Sequence, residues 1–130
     1  MNKITYAKIS GYDAAIAAAV QADVHVVARA GALEDADVQG LCDELVGLAC
    51  TGRHNLVLDL SAVTHIDYRG FGRLVACAKF LRASGGELKL CGLSDYHRVL
   101  FRASGHYGAF EYFETAEAAA ADFALEASLL

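Results

Sequence analysis

Apolar residues recur every three or four positions over residues 35–50 and again over residues 68–84, and this spacing places them on one side of an α-helix. The first segment has its apolar positions at Val38, Leu41, Leu45 and Leu48. The second has them at Phe71, Leu74, Val75, Ala78 and Leu81. Two amphipathic helices are therefore predicted, the first ended by Thr51-Gly52 and the second ending at Ser84, before Gly85-Gly86.

Short runs rich in β-branched and apolar residues predict the strands. The run at residues 55–60 is almost continuously apolar, which is typical of a strand covered on both sides. Further strands are predicted at residues 3–9, at 24–30 and at 87–90, and a weaker one at 107–113. The second strand is predicted to end at Gly31. For the alanine-rich residues 14–20, the sequence does not decide between a helix and a loop.

Two more helices are predicted nearer the C-terminal end. Ser94 is a candidate N-cap for a short helix to about Ala103, and Thr115 is one for a last, alanine-rich helix. Strands that alternate with helices of this length indicate an α/β fold with a largely parallel sheet. The connector between the first two strands is too short for a parallel crossover, so these two are expected to pair antiparallel. A mixed sheet of four to five strands follows.

Length and composition narrow the class of protein. A chain of 130 residues fits a single domain. Its 11 basic and 16 acidic residues give a net charge of −5, whereas nucleic-acid binders need a basic surface, so no direct nucleic-acid partner is expected. Without a long apolar run or a signal peptide, we expect a cytoplasmic protein that does not insert into membranes. Four cysteines are then expected as free thiols, at Cys42, Cys50, Cys77 and Cys91.

The candidate motifs for enzyme chemistry are incomplete. Residues 70–75 almost spell the dinucleotide fingerprint, but Val75 stands where a small residue is needed. The cysteine and histidine spacings match none of the compact pairs of zinc sites. Ser61, His65 and Asp67 lie near one predicted turn, yet no oxyanion-hole element accompanies them. The sequence thus predicts no enzyme, no cofactor and no metal.

Residues 55–72, N-L-V-L-D-L-S-A-V-T-H-I-D-Y-R-G-F-G, resemble the signature of the STAS domain family. In that family a buried strand ends in an L-S-x-V-x-x-I-D-S-S-G-x-G-like turn that starts a helix. The likeness continues through L-R-A-S-G-G-E-L at 81–88, and G-A-L-E at 31–34 is similar to the family's G-x-L-D. It covers about residues 23–123 and leaves residues 1–22 as an N-terminal strand and variable connector.

The resemblance implies about four helices packed mainly on one face of the sheet. It also implies a non-enzymatic, protein-binding regulator similar to an anti-sigma factor antagonist, whose partner is an anti-sigma factor that is often a serine kinase. The family's contact surface is the turn and helix start, supported by the loop at 31–34. The partner-binding residues so implied are Asp67, Tyr68, Arg69, Gly70, Phe71, Gly72 and Arg73, together with Leu33 and Glu34. Asp67 is expected to cap the helix, and Gly70 and Gly72 to keep the turn low.

One position departs from the family pattern. The second serine of the family's D-S-S-G is its usual phosphorylation site, and Arg69 stands there in this sequence. Arginine accepts no phosphate, so we expect a protein without the serine switch, in which Arg69 pairs with an acid of the partner and Tyr68 serves as an anchor. A solvated surface arginine is an equal alternative. Ser61 and Thr64 are less favoured as substitute acceptors because both precede the helix start.

Two other functions stay open. The chain could be the STAS subunit of another assembly, such as a lipid-transport ABC complex or a stressosome-like scaffold, and the missing serine does not weigh against that. It could also be a small-ligand sensor. The sequence leaves open whether it forms a homodimer.

Overall fold

The computed structural model describes residues 2–4 and 24–128, which form an α/β fold around one five-stranded sheet. The strands are β1 (Asn2–Ile4), β2 (Val24–Leu33), β3 (Asn55–Ile66), β4 (Glu87–Cys91) and β5 (Tyr112–Phe113). The helices are α1 (Asp35–Cys50), α2 (Tyr68–Ala83), α3 (Asp95–Ala103) and α4 (Ala116–Ser128), with a 3₁₀ turn at Tyr107–Ala109. The remainder of the first predicted strand and the ambiguous residues 14–20 lie outside the described residues.

The sheet is mixed, as predicted. Its strands lie side by side in chain order, with β1 antiparallel to β2 and each later strand parallel to the one before it. Parallel neighbours need a crossover, and α1, α2 and α3 supply those crossovers. Because each crossover leads to the adjacent strand, the ends of β2 and β3 lie beside each other.

Side chains that alternate along the strands divide the core between two faces. Leu56 and Leu58 of β3 belong to the larger cluster with α1, α2 and α3, while Val57 points to the other face and packs with Ala119 and Phe123 of α4. All three β3 residues are fully buried. The predicted strand with two covered faces is confirmed, and three of the four helices share one face.

The helix boundaries follow the capping residues that the sequence offers. Ser94 Oγ accepts the backbone N–H of His97 at 3.1 Å, and Thr115 Oγ1 accepts that of Ala118 at 3.1 Å. Both predicted caps are confirmed. Glu34 precedes α1 in a capping box, in which its own N–H donates to Asp37 Oδ2 at 3.0 Å.

Three predicted strand limits are wrong. β2 continues through Gly31, which has a φ of +76° at an irregularity in the pairing with β3. β3 runs on from Leu60 to Ile66, so Ser61 and His65 lie on a strand rather than near a turn. In the segment 107–113, only Tyr112–Phe113 is a strand. In the first two cases, pairing between β2 and β3 overrides the local preference of glycine and serine for turns.

A buried lysine fastens α4 to its face of the sheet. Lys89 of β4 is fully buried, and its ammonium pairs with Asp122 and Glu126 of α4 and with Glu111 at 3.7 Å. The ammonium also lies 4.3 Å from the ring centroid of Phe123. Burial alone would lower the pKa of Lys89, but the two hydrogen bonds and the acidic charges outweigh it and raise that pKa. Among the described residues, these three acids are the one group arranged to hold a cation, and the ammonium fills that place.

Replacing Lys89 by alanine should therefore loosen α4. We expect Lys89→Ala to lower the free energy of unfolding by about 2 kcal/mol, which is less than the ~3–5 kcal/mol of a wholly buried pair because the acids are partly exposed and can rehydrate. Urea denaturation at neutral pH measures the change. Lys79→Ala, at an exposed lysine of α2, is the control and should stay within about 0.5 kcal/mol of the wild type. Equal stability of the two variants would contradict the role of Lys89.

Candidate functional site

The carboxyl ends of β2 and β3 meet at one edge of the sheet and place two helix starts side by side. Leu33 is in register with Ile66, and the backbone N–H of Asp67 donates to the carbonyl of Leu33 at 2.8 Å. Glu34 then leads into α1 and Asp67 into α2. The two segments that the family resemblance implies as a contact surface are thus joined by a hydrogen bond.

Asp67 is the N-cap of α2, as predicted. Its Oδ1 accepts the backbone N–H of Arg69 at 2.9 Å and the Nε–H of the same arginine at 3.2 Å. These hydrogen bonds, with the positive charge of Arg69, lower the pKa of the Asp67 carboxyl. The carboxylate also offsets the unfavourable placement of an arginine at the positive end of a helix.

Tyr68 and Arg69 point outward from the first turn of α2. The Tyr68 residue is 68% exposed and the Arg69 side chain 70% exposed. Beneath them, Phe71 is fully buried, 6.3 Å from the Tyr68 ring and 4.4 Å from the Phe101 ring. The prediction of two outward side chains at a helix start is confirmed, and Phe71 supports this turn from inside.

The two glycines of the turn have different surroundings. A Cβ added at Gly70 would lie 2.9 Å from Val38 Cγ2 and 3.0 Å from Ile66 Cγ2, which is too close for carbon atoms. A Cβ at Gly72 would meet only His106 Nε2, at 3.8 Å, an ordinary contact. Gly70 therefore permits α2 to pack against α1 and β3, whereas Gly72 has room for a side chain.

Arg73 links the two helices along their exposed seam. Its Nε and Nη2 donate to the two carboxylate oxygens of Asp35 at 2.6 and 3.1 Å, and its Nη1 donates to Gln39 Oε1 at 2.9 Å. This bidentate pair lowers the pKa of Asp35. Arg73 thus donates three hydrogen bonds to two residues of its own chain. The sequence could not reveal Asp35 and Gln39 as its partners because the contact depends on how α1 packs on α2.

The other residues implied as site residues lie around this turn at different depths. Leu33 is buried and Glu34 is exposed at the start of α1. Ser61 and Thr64 are exposed on β3, before the helix begins. The structure therefore places Tyr68, Arg69 and Glu34 at the surface and Leu33, Gly70 and Phe71 beneath it.

What this arrangement offers chemically is a surface for contact. It presents an aromatic ring, a guanidinium and carboxylates on rigid helix starts. Among the residues that the structure describes, no helix has the length and apolar content needed to cross a membrane. We call the surface of this turn, formed by exposed Glu34, Tyr68 and Arg69 and half-buried Gly72, the α2 ridge.

Comparison with known proteins links the fold to one family. The sequence model of the STAS domain matches residues 10–119. A protein of Bordetella bronchiseptica named as an anti-sigma factor antagonist, BtrV, is 36% identical over 93 residues, which are 72% of this chain and 80% of BtrV.

Solved structures share the fold. The TM1081 protein of Thermotoga maritima superposes with a TM-score of 0.70 at 19% identity, over 78% of this chain and 87% of the other. The unphosphorylated form of the anti-sigma factor antagonist SpoIIAA, a Bacillus protein, gives a TM-score of 0.61 at 18% identity, over 77% of this chain and 87% of its own. At these identities the likeness concerns the fold alone.

The contrast between the two glycines yields a matched pair of variants. Gly70→Ala should lower the free energy of unfolding by about 1–2 kcal/mol, because the added methyl group overpacks Val38 and Ile66. Gly72→Ala should leave it unchanged or raise it by about 0.5–1 kcal/mol, since alanine favours the helix. Chemical denaturation measures both. A Gly70→Ala protein as stable as Gly72→Ala would contradict the close packing described above.

Proposed function

Because this chain belongs to the STAS domain family, we propose that it acts as a non-enzymatic anti-sigma factor antagonist that binds a protein partner through the α2 ridge. The partner class is the one that the family resemblance implies, an anti-sigma factor of the serine-kinase type. The identity with BtrV over most of both chains supports the same class of regulator. Binding of the anti-sigma factor would leave its sigma factor free.

The outward projection of Tyr68 and Arg69 is the observation that carries this proposal. Two large side chains stand mostly in solvent although the rest of the turn is packed, so they stabilise the fold little. Tyrosine and arginine are also among the residue types most enriched where protein interfaces concentrate their binding energy. The turn beneath them is held by Gly70, Phe71 and the Asp67 cap, and such rigidity lowers the entropic cost of binding.

The guanidinium of Arg69 favours an acidic group opposite it on the partner. Within the described residues, the hydrogen bond of the Arg69 guanidinium is the one that its Nε donates to Asp67. Because the side chain is 70% exposed, its Nη groups remain available to form a bidentate pair with a carboxylate. Arg73, in contrast, is engaged with Asp35 and Gln39 and would support the surface rather than supply its charge.

Arg69 also supports constitutive binding. A phosphate at this helix start would lie among unpaired N–H groups and would add negative charge and bulk against a partner. Arginine has no hydroxyl group that could be phosphorylated, and its positive charge is opposite to that of a phosphate. We propose that the complex forms without control by phosphorylation at this position.

Single substitutions of Tyr68 and Arg69 test the proposed interface. We expect Tyr68→Ala and Arg69→Glu each to weaken the complex by about tenfold or more, as loss of a hot-spot residue does. The wild type and both variants are used to capture partners from the native cell extract, the captured protein is identified by mass spectrometry, and its affinity for each variant is then measured.

Phe80→Ala and Lys79→Glu are the matched controls. Both change exposed side chains near the other end of α2, one aromatic and one cationic, and both should bind like the wild type. If the ridge variants also bind like the wild type, the interface lies elsewhere. Capture of a permease-associated complex instead of a kinase-type anti-sigma factor would contradict the proposed partner class.

Phosphorylation is tested with the captured kinase and ATP. The wild type should gain no phosphate within residues 66–72, whereas Arg69→Ser should be phosphorylated at the new serine, since Asp67 still caps the helix. Peptide mapping by mass spectrometry locates the phosphate. Stoichiometric phosphate within residues 66–72 of the wild type would end the idea of a missing switch, and phosphate at Ser61 or Thr64 would move the switch to β3.

A further inference from the structure

Two of the four free cysteines lie together at the seam between α1 and α2. Cys42 of α1 and Cys77 of α2 are both free thiols, and both line the same cleft between these helices. The two cysteines are 35 positions apart in sequence, so it is the packing of α1 on α2 that brings them together. Cys77 lies one turn after Arg73, and Cys42 one turn after Val38, which contacts Gly70.

The thiols are covered but reachable. Cys42 is 8% exposed and Cys77 6% exposed. Both line a surface cleft of about 220 Å³ whose other walls are formed by polar and small side chains, namely Gln39, Asp43, Val46, Arg73 and Ala76. A molecule the size of a hydroperoxide can enter such a cleft, whereas Cys91, buried in the other face of the sheet, lines no part of it.

The surroundings distinguish the two sulfurs. The Cys42 thiol donates to the carbonyl of Arg73 at 3.7 Å. Once Cys42 is ionised, the hydrogen bond from Cys77 stabilises the thiolate and so lowers the pKa of Cys42, although burial opposes this. The same contact and burial raise the pKa of Cys77. We therefore assign Cys42 as the attacking sulfur and Cys77 as the sulfur that completes the disulfide.

We propose that Cys42 and Cys77 form a dithiol–disulfide modification site that responds to hydroperoxides. The Cys42 thiolate attacks one oxygen of the peroxide, the O–O bond breaks, and the sulfur becomes a sulfenic acid while water or an alcohol leaves. The Cys77 sulfur then attacks the sulfenic sulfur, and the hydroxyl leaves with the Cys77 proton as a second water. Two thiols are oxidised, one peroxide is reduced, and an S–S bond forms between α1 and α2.

The cross-link would act on the seam next to the α2 ridge. It would remove the Cys42 donor from the Arg73 carbonyl and join covalently the two helices that Arg73 holds through Asp35 and Gln39. In a reducing compartment such bonds are transient and serve as sensors, so the site would report oxidative conditions reversibly. The proposal does not depend on which partner the ridge binds.

To test the proposal, the protein is treated with a small excess of hydrogen peroxide. We expect mapping under non-reducing conditions to find the peptide of Cys42 joined to the peptide of Cys77 within one chain, with loss of two hydrogen atoms in mass. Dithiothreitol should reverse this, and the oxidised protein should resist urea better than the reduced one. Oxidation confined to the exposed Cys50, a cross-link between chains, or sulfinic acid at Cys42 without a cross-link would each overturn the proposal.

Single variants test the assigned order of attack. In Cys77→Ser, a sulfenic acid should persist at Cys42 and be trapped by dimedone. In Cys42→Ser, Cys77 should stay unlabelled under the same conditions. The reverse labelling would overturn the assignment of Cys42 as the nucleophile. Cys91→Ala is the control, and it should form the Cys42–Cys77 bond as the wild type does.

Discussion

The close contact of α2 with α1 and β3 at Gly70 is the constraint on which the site depends. At that point the helix backbone approaches Val38 and Ile66 so nearly that no side chain fits between them. The approach brings Arg73 within reach of Asp35 and places Cys77 on the same cleft as Cys42. It also lets Phe71 enter the core while Tyr68 and Arg69 remain outside. A wider spacing between the helices would separate all of these contacts at once.

Much of the fold could be predicted from the sequence because local signals and packing agree. The period of the apolar residues located α1 and α2, and Ser94, Asp67 and Thr115 marked helix starts that the structure confirms. The ends of β2 and β3 could not be predicted in this way. Gly31 and Ser61 are turn-forming residues, and the fact that strand pairing continues past both depends on a neighbour that only the folded chain provides.

The site was predictable in part for the same reason. The motif around Asp67 indicated the capped helix start and the two outward side chains, which follow from local geometry. The burial of Leu33, the hydrogen bonds of Arg73 to Asp35 and Gln39, and the place of Cys42 and Cys77 on one cleft depend on contacts between elements distant in sequence. Gly70 was predicted to let a partner approach the turn closely. Its surroundings show that the packing of α2 on Val38 and Ile66 inside the protein also requires a glycine here.

Exposed and buried residues alternate sharply in this turn, and this affects how the binding specificity of such a protein can evolve. Tyr68 and Arg69 contribute little to the interior, so replacing either alters what the surface recognises at small cost to folding. Gly70 and Phe71, one and two positions later, have no comparable freedom. A gene copy could therefore acquire a different binding specificity through two codons while its scaffold remains intact, and an engineer could redirect it by the same route.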